Sequence, residues 1–313
     1  MSPELAAVLA AYPSWVADAA IEPLGNRGGF SGARVYRLTC LRGVFCLRAG
    51  SPGEAVNRAN ARHALQLIAR DAGLDFVPGL VPTRSGSTVV ERSGVCWELM
   101  HWMPGLADFH AAPSAERLRA AAEALARLHL AWQSHARPGV AECPGVRRRL
   151  DAGEDLPQID PFADRLQREL AYWLPQVSVI LAGMPLVGIQ PVLRDIWHDH
   201  LLYEGDALTG LVDYASIDLD SVAVDLARMV GSLVEDDEAS WQFALSAYRR
   251  LRPLSADEER LARALDRAGV IASLANWHRW IKTGERDPAS PHVRERVERL
   301  VGRVGRWPRA VLG

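Results

Sequence analysis

Residues 192–214 contain three short apolar runs, separated first by a polar loop and then by the turn at 204–206. This pattern predicts three short β-strands, the last two of which form a hairpin. Two carboxylates lie where a strand ends, Asp195 after the first and Asp213 after the third. The intervening hairpin can fold one back over the other. Phosphoryl transfer needs such a pair, because one carboxylate orients the attacking hydroxyl and the other holds a metal ion on the phosphates.

The order of residues around these carboxylates follows a known pattern. Kinase catalytic loops read His-Arg-Asp-x-x-x-x-Asn, and a metal-binding Asp opens an Asp-Phe-Gly sequence further on. This chain has Leu193-Arg194-Asp195, four residues and His200, and then Asp213-Tyr214-Ala215. It resembles the protein-kinase-like small-molecule kinases, especially the aminoglycoside phosphotransferase and choline kinase group. Leu193 stands where the group usually has His, and His200 stands where it has Asn.

The resemblance covers nearly the whole chain, although only residues 192–228 are specific. It implies a two-lobed, protein-kinase-like α+β fold. The N-lobe is expected at 1–102, with a small mixed β-sheet and a hinge near 98–104. The larger, mainly helical C-lobe is expected at 103–313, with the catalytic loop at 193–200. Strands that precede helices along the chain support this class. Helices are expected at 3–12, 54–72, from 114, at 161–183, from 221, and at 240–250, 256–282 and 291–306.

Residues for nucleotide binding are expected in the N-lobe. A glycine-rich turn with Gly28, Gly29 and Ser31 leads into a hairpin of strands at 33–38 and 44–48. Glycines let the backbone approach a phosphate closely. In the resembling family a Lys or Arg at the end of the second strand reaches the α- and β-phosphates, which implies that role for Arg48. A plain β-turn and a solvated strand-end arginine are the alternatives. Lys282 is the only lysine of the chain, so a kinase-like site must rely on arginine.

Two further positions of the N-lobe follow from the family. Residues 98–102 resemble its hinge, which would present backbone groups to adenine, with Met100 as the central residue, although an apolar edge strand explains the composition equally well. The family also places a Glu on the helix at 54–72 to pair with the strand cation. Glu54 lies at the helix start. Either Glu54 serves, or Arg48 is held another way.

The resemblance gives the acidic residues their roles. Asp195 is expected to orient and deprotonate a substrate hydroxyl, with a loop-capping Asp as the alternative. Asp213 is expected to ligate Mg²⁺, with a turn Asp as the alternative. Imidazole suits softer metals than an amide oxygen does. His200 therefore has three interpretations: a ligand that shifts preference toward Mn²⁺, a hydrogen-bond partner of Asp195 or Asp213, or a sign of a degenerate site.

Several other groups suggest weaker hypotheses. In a strand, His198 and His200 would share a face, so a His-based metal hydrolase is a distant alternative. In the resembling family the Asp of an Asp-Leu-Ala segment braces the catalytic loop through backbone N–H groups, which implies this role for Asp225. The acidic run 235–238 could attract a cationic substrate or could be solvated. The basic run 147–149 is expected to be a solvated face.

Composition limits the partners. The net charge of −2 and the pI near 6.5 give no electrostatic footprint for nucleic acid or an acidic membrane. The sequence has no apolar run of about 18 residues and no secretion signal, so a cytoplasmic protein is expected. The four cysteines lack metal-ligand spacing and are expected to be reduced core residues. Nothing in the sequence indicates the oligomeric state.

The sequence thus predicts an ATP- or GTP-dependent phosphotransferase that acts on a hydroxyl of an aminoglycoside-, choline- or sugar-like small molecule, with Mg²⁺ or Mn²⁺. The alternative is a catalytically impaired kinase-fold protein that binds a nucleotide or another ligand. A protein kinase is disfavoured, because the chain has no Asp-Phe-Gly and no Ala-Pro-Glu segment.

Overall fold

The computed structural model describes residues 2–25, 32–151 and 161–309. The α+β class is confirmed, since a five-stranded sheet comes early in the chain and helices dominate afterwards. The packing divides the chain into two compact units, Met1–Trp132 with His198–Ile217, and Gln133–Trp197 with Asp218–Gly313. The lobes expected at 1–102 and 103–313 stay a prediction.

In the described ranges the strands are β1 (Ala20–Gly25), β2 (Arg34–Cys40), β3 (Gly43–Ala49), β4 (Val90–Arg92), β5 (Val95–His101), β6 (Gln190–Val192), β7 (Leu201–Glu204), β8 (Ala207–Leu211) and β9 (Asp218–Asp220). The helices are α1 (Pro3–Leu9), α2 (Val56–Asp71), α3 (Ala115–Ala131), α4 (Pro144–Asp151), α5 (Pro161–Ala182), α6 (Val222–Val234), α7 (Glu238–Arg249), α8 (Ala256–Lys282) and α9 (Pro291–Gly305).

The sheet of the first unit has the order β1-β2-β3-β5-β4, and all of its strand pairs are antiparallel. The predicted β2–β3 hairpin is confirmed, and Gly43 supplies the positive φ of its turn. β1 is an additional edge strand. The pairing of β3 with β5 places Arg48 directly opposite Glu98, and this register positions the candidate site.

Helix α1 packs on the sheet and extends its core. Ser2 is the N-cap of α1, and its hydroxyl accepts a hydrogen bond from the Leu5 N–H. The apolar face of α1 packs against a cluster that includes Leu47 and Trp97 from the sheet. Ser114 caps α3 in the same way. The predicted hairpin of β7 and β8 is also confirmed, and it ends two residues before Asp213.

The second unit is built mainly of helices. α8 packs against α5, α6 and α9, and the short strands β6 and β9 pair beside them. Asp220 at the end of β9 is fully buried and accepts a hydrogen bond from the Gly145 backbone N–H at 3.0 Å, which ties α4 to this strand. Arg148 also donates to Asp220. The run 147–149 is therefore not simply the solvated face that the sequence predicts.

Candidate active site

Arg48 forms an ion pair inside the sheet of the first unit. Its Nη1 donates to Oε1 of Glu98 at 2.9 Å, and both side chains are largely buried. The antiparallel register fixes this contact, because the two residues are cross-strand partners on one face. Glu98, which the sequence analysis placed in the hinge, is thus the residue that holds the strand cation.

Helix α2 also contacts the Glu98 carboxylate, through a histidine and an arginine. Nε2 of His63 lies 2.5 Å from Oε2 of Glu98, and Arg62 Nη1 lies 3.7 Å from that oxygen. An ionised carboxylate only accepts, so His63 Nε2 carries the proton. Glu54 instead accepts from Arg62 at 2.7 Å. Of the two alternatives for Arg48, the structure supports the second: Arg48 is held by Glu98 rather than by Glu54.

Electrostatics keep this ion pair charged. Burial alone would raise the pKa of Glu98, but the His63 hydrogen bond and the charges of Arg48 and Arg62 outweigh it and lower the pKa to about 2. For Arg48, burial would lower the pKa, yet the charges of Glu98 and Asp213 raise it above its ordinary value. The charge of Asp213 therefore acts on Arg48, which links two of the residues predicted from the sequence.

Asp213 and His200 lie together at the end of the β7–β8 hairpin. Asp213 has a φ of +65°, and its Oδ1 accepts from the Ala215 N–H at 3.2 Å. His200 Nε2 is 3.9 Å from Asp213 Oδ2, and the His200 carbonyl accepts from the Val212 N–H. A non-glycine residue at positive φ is uncommon and often accompanies a functional site. The backbone thus brings both side chains to the open end of the hairpin.

The chemistry of these two groups fits a divalent ion. An imidazole nitrogen and a carboxylate oxygen 3.9 Å apart can both reach one ion after small side-chain rotations, since metal–ligand distances are about 2.1 Å. The Asp213 side chain is 44% exposed, so the position is open to a phosphate and its ion. Among the described residues, no group of three or more His, Cys, Asp or Glu has a geometry that could hold a metal ion.

The condition for a site that uses both His198 and His200 is not met. His198–His200 form a turn of 3₁₀-helix rather than a strand, so the two imidazoles do not share a strand face. The His198 ring instead packs edge-on against His110, with centroids 4.5 Å apart. The geometry gives no support to a metal hydrolase with these two ligands.

Asp195 lies in the second unit, three residues after β6. The backbone before it is held by Asp225 of α6, whose two carboxylate oxygens accept from the Leu193 and Arg194 N–H groups at 2.7 and 2.6 Å. The bracing role predicted for Asp225 is confirmed. Arg194 has a φ of +67°, and its side chain pairs with Asp218 at 2.9 Å. The two backbone bonds to Asp225 stabilise an uncommon backbone conformation next to Asp195.

The Asp195 carboxylate has a partner that the sequence analysis missed. Nη2 of Arg228, one turn after Asp225 on α6, donates to its Oδ1. The Asp-Leu-Ala-Arg spacing was a signal that could have suggested this contact. Residues three apart on a helix share a face, so an arginine there points toward the loop that Asp225 braces.

The other predicted positions are the glycine-rich turn, Met100 and the acidic run 235–238. Gly28, Gly29 and Ser31 lie outside the described residues. Met100 is half-buried in β5, opposite Cys46, and its hinge role stays a prediction. In the acidic run, Glu235 pairs with Arg306, Asp236 with Arg303 and Glu238 with Arg263, while Asp237 caps α7. These partners compensate the charge that was considered for a cationic substrate.

Comparison with known proteins identifies the family. A sequence model described as the phosphotransferase enzyme family matches residues 23–264. The chain belongs to this family. The predicted resemblance and the prediction of a phosphotransferase are thereby confirmed. A homoserine kinase from Cupriavidus necator is 29% identical over 248 residues, which are 72% of this chain and 71% of that protein. A homoserine kinase from Rhizobium etli is 24% identical over 242 residues, which are 72% of this phosphotransferase and 73% of the relative.

Solved structures share the fold of this phosphotransferase. A spectinomycin phosphotransferase in complex with ADP and spectinomycin has a TM-score of 0.71 at 10% identity and covers 98% of each chain. A microcompartment-associated aminopropanol kinase has a TM-score of 0.66 at 17% identity, covering 96% of this chain and 94% of its own. At these identities the likeness shows the protein-kinase-like fold alone. In the described part of the chain, no helix has the length and apolarity needed to span a bilayer.

Proposed function

We propose that this phosphotransferase is a kinase that moves the γ-phosphate of ATP to the hydroxyl of a small amino alcohol, with homoserine as the first candidate. The observation that carries the proposal is Arg48, which Glu98 holds inside the sheet while the charge of Asp213 acts on it. A phosphate-binding cation and a metal-binding carboxylate are the parts that phosphoryl transfer requires. Homoserine is chosen because homoserine kinases match more than two thirds of the chain.

The proposed roles follow from the groups present. Arg48 binds the α- and β-phosphates, and the backbone at Gly28, Gly29 and Ser31 covers them, while Met100 faces the adenine. Asp213 and His200 hold a divalent ion, Mg²⁺ or Mn²⁺, which neutralises charge on the phosphates when it is bound. Because the chain carries a small net negative charge, we expect neither a nucleic acid nor a membrane as a partner.

Asp195 is the base for the acceptor hydroxyl. Its carboxylate accepts the hydroxyl proton, the hydroxyl oxygen attacks the γ-phosphorus in line, and the bond from that phosphorus to the β,γ-bridging oxygen breaks, so that ADP leaves. Asp225 holds the loop at Leu193 and Arg194 so that Asp195 keeps its orientation. Arg228 donates to the same carboxylate and orients it.

The test combines nucleotide binding with an acceptor screen. Thermal shift with ATP or GTP, and with Mg²⁺, Mn²⁺ or EDTA, should show metal-dependent stabilisation that Asp213→Asn loses. Asp75→Asn, at a side chain that is 91% exposed, is the matched control and should behave as the wild type. ADP release with homoserine, 3-aminopropan-1-ol, choline and an aminoglycoside should then identify the acceptor. If the protein binds nucleotide but transfers phosphate to none of these acceptors, the alternative of a catalytically impaired, ligand-binding protein is favoured. The presence of His200 where the family has Asn is the reason for considering that alternative.

A further inference from the structure

Arg149 on α4 has an unusual environment within the second unit. Its guanidinium makes a single hydrogen bond, from Nη1 to the Gly145 carbonyl oxygen one turn earlier, and no described carboxylate is within ion-pair distance. The residue is partly buried, and burial, followed by the charge of Arg228, lowers its pKa to about 10, while the charge of the nearby Asp220 acts in the opposite direction. A desolvated cation without a hydrogen-bonded counter-ion is costly, and a bound anion would remove this cost.

Close helix packing holds this guanidinium in place. A Cβ on Gly145 would lie 2.8 Å from Cγ2 of Val224, so glycine allows α4 to approach α6 closely. A Cβ on Gly269 of α8 would lie 3.7 Å from Nη2 of Arg149. Arg149 lies one helical turn after Gly145 on α4, and Arg228 lies one helical turn after Val224 on α6. The two arginines are therefore placed by three packed helices rather than by a mobile surface.

The acidic groups nearby already have other donors. Asp220 accepts from Arg148 Nη2, Cys143 Sγ and the Gly145 and Ser221 N–H groups. Asp225 accepts from two backbone N–H groups of the catalytic loop. Asp195 is paired with Arg228, whose Nε is buried and has no hydrogen-bond partner. The described part of this unit therefore has unused guanidinium donors and no carboxylate placed to accept from Arg149.

We propose that Arg149 and Arg228 bind a carboxylate of the acceptor, so that the substrate is a hydroxy amino acid or hydroxy acid rather than a simple amino alcohol. This inference rests on the proposed kinase function. Because Arg228 donates to Asp195, an anion on its guanidinium lies beside the proposed base. In homoserine three carbons lie between the hydroxyl oxygen and the carboxylate carbon. The Arg228 guanidinium can therefore lie between the substrate carboxylate and Asp195 while the substrate hydroxyl still reaches Asp195. Planar guanidinium donors match a carboxylate well.

The test uses two acceptors that differ only in the carboxylate, L-homoserine and 3-aminopropan-1-ol. For the wild type, kcat/KM should be about 100-fold higher with homoserine than with 3-aminopropan-1-ol, because charged hydrogen bonds to the substrate carboxylate contribute about that much. Arg149→Gln should bring this ratio close to unity, mainly through a higher KM for homoserine, and Arg149→Lys should restore part of it. Arg147→Gln is the matched control, because Arg147 is an exposed arginine of the same helix. It should leave the ratio unchanged.

A second readout separates ligand binding from a structural role. Removal of an unpaired, desolvated cation should leave the melting temperature of Arg149→Gln equal to or above that of the wild type. Calorimetric titration with homoserine should show binding to the wild type and a loss of about 100-fold in affinity for Arg149→Gln. A lower melting temperature together with an unchanged acceptor ratio would show that Arg149 is structural and would overturn the inference.

The inference and the proposed function can fail separately. If the enzyme phosphorylates 3-aminopropan-1-ol or choline as efficiently as homoserine, it is a kinase but the carboxylate site is refuted. If no acceptor is phosphorylated and Asp213→Asn binds ATP as the wild type does, the proposed function fails. In that case the homoserine titration still decides: binding that depends on Arg149 supports the anion site, and no binding refutes it.

Discussion

Arg48 and Glu98 face each other across β3 and β5, with 2.9 Å between Nη1 and Oε1. In the family that the sequence resembles, the carboxylate for the strand cation comes from the following helix. Here both partners belong to the sheet, and the helix contributes His63, whose Nε2 lies 2.5 Å from Glu98 Oε2. The position of Arg48 is therefore set by strand register, and α2 acts on it through the shared carboxylate.

This arrangement predicts that Glu98 controls nucleotide binding. Glu98→Gln removes the charge that positions Arg48. It leaves Arg48, Arg62 and His63 around a neutral amide. We expect the KM for ATP to rise about 10-fold, because a hydrogen bond to a charged group contributes roughly 1.5–3 kcal/mol. Steady-state kinetics measure this. Glu91→Gln, at an exposed position of β4, is the control and should leave the KM unchanged. An unchanged KM for Glu98→Gln would mean that Arg48 does not need this partner.

The same carboxylate makes stability depend on pH. The pKa of Glu98 is lowered from its ordinary 4.5 to about 2 in the folded protein. Its stabilising contribution is therefore fully present above pH 4.5 and is lost as the pH falls through 2. We expect the wild type to exceed Glu98→Gln in unfolding free energy by the order of 3 kcal/mol at pH 7, and this difference should shrink steadily below pH 4.5. Urea denaturation at pH 7, 5, 4 and 3 measures the difference, and a gap that stays constant down to pH 3 contradicts the prediction.

The helices and the catalytic segment could be predicted from the sequence because their signals are local. Ser2 and Ser114 are caps that precede apolar periodicity, and both begin helices as expected. The apolar runs of β6, β7 and β8 are separated by turn residues. β1 escaped prediction because it is an exposed edge strand that contains Pro23 and has no alternating burial.

The contacts of the site depend on register and packing, which a single sequence does not encode locally. Glu98 is fifty positions from Arg48, and a slip of one residue between their strands would move it to the opposite face of the sheet. Arg149 was expected to be solvated, because nothing in an Arg-Arg-Arg run reveals that Gly145 brings its helix against α6. Asp225 was found because its spacing from the catalytic loop is a property of the family.

His200 should determine the metal preference if it is a ligand. Its Nε2 lies 3.9 Å from Asp213 Oδ2, at the open end of the β7–β8 hairpin. Imidazole suits Mn²⁺ better than Mg²⁺, and an amide oxygen suits Mg²⁺. We expect His200→Asn to raise the ratio of kcat/KM with Mg²⁺ to that with Mn²⁺ by about 10-fold, as one changed ligand would. His198→Asn, on the same turn, should leave the ratio unaltered. Equal ratios for the wild type and both variants would exclude His200 as a ligand and favour its hydrogen-bonding role.

Asp225 should affect turnover through the catalytic loop rather than through nucleotide binding. Its two oxygens accept from the Leu193 and Arg194 N–H groups, and Arg194 has a φ of +67°. In Asp225→Asn one of these bonds is lost, so the loop is released beside Asp195. We expect kcat to fall about 100-fold, because small misplacements of a reacting group are costly, while the KM for ATP stays within about 3-fold of the wild type. We also expect a loss of about 2 kcal/mol in unfolding free energy, since the site is fully buried.

Asp218→Asn provides the matched comparison for this variant. Asp218 pairs with the Arg194 side chain at a largely exposed position and does not hold the loop backbone. Its loss should change kcat by less than about 3-fold, as expected for an exposed ion pair. Stopped-flow turnover at saturating ATP, together with urea denaturation, distinguishes the two variants. If Asp225→Asn loses stability but keeps its kcat under conditions where it is folded, the brace is structural only, and the orientation of Asp195 must come from Arg228 instead.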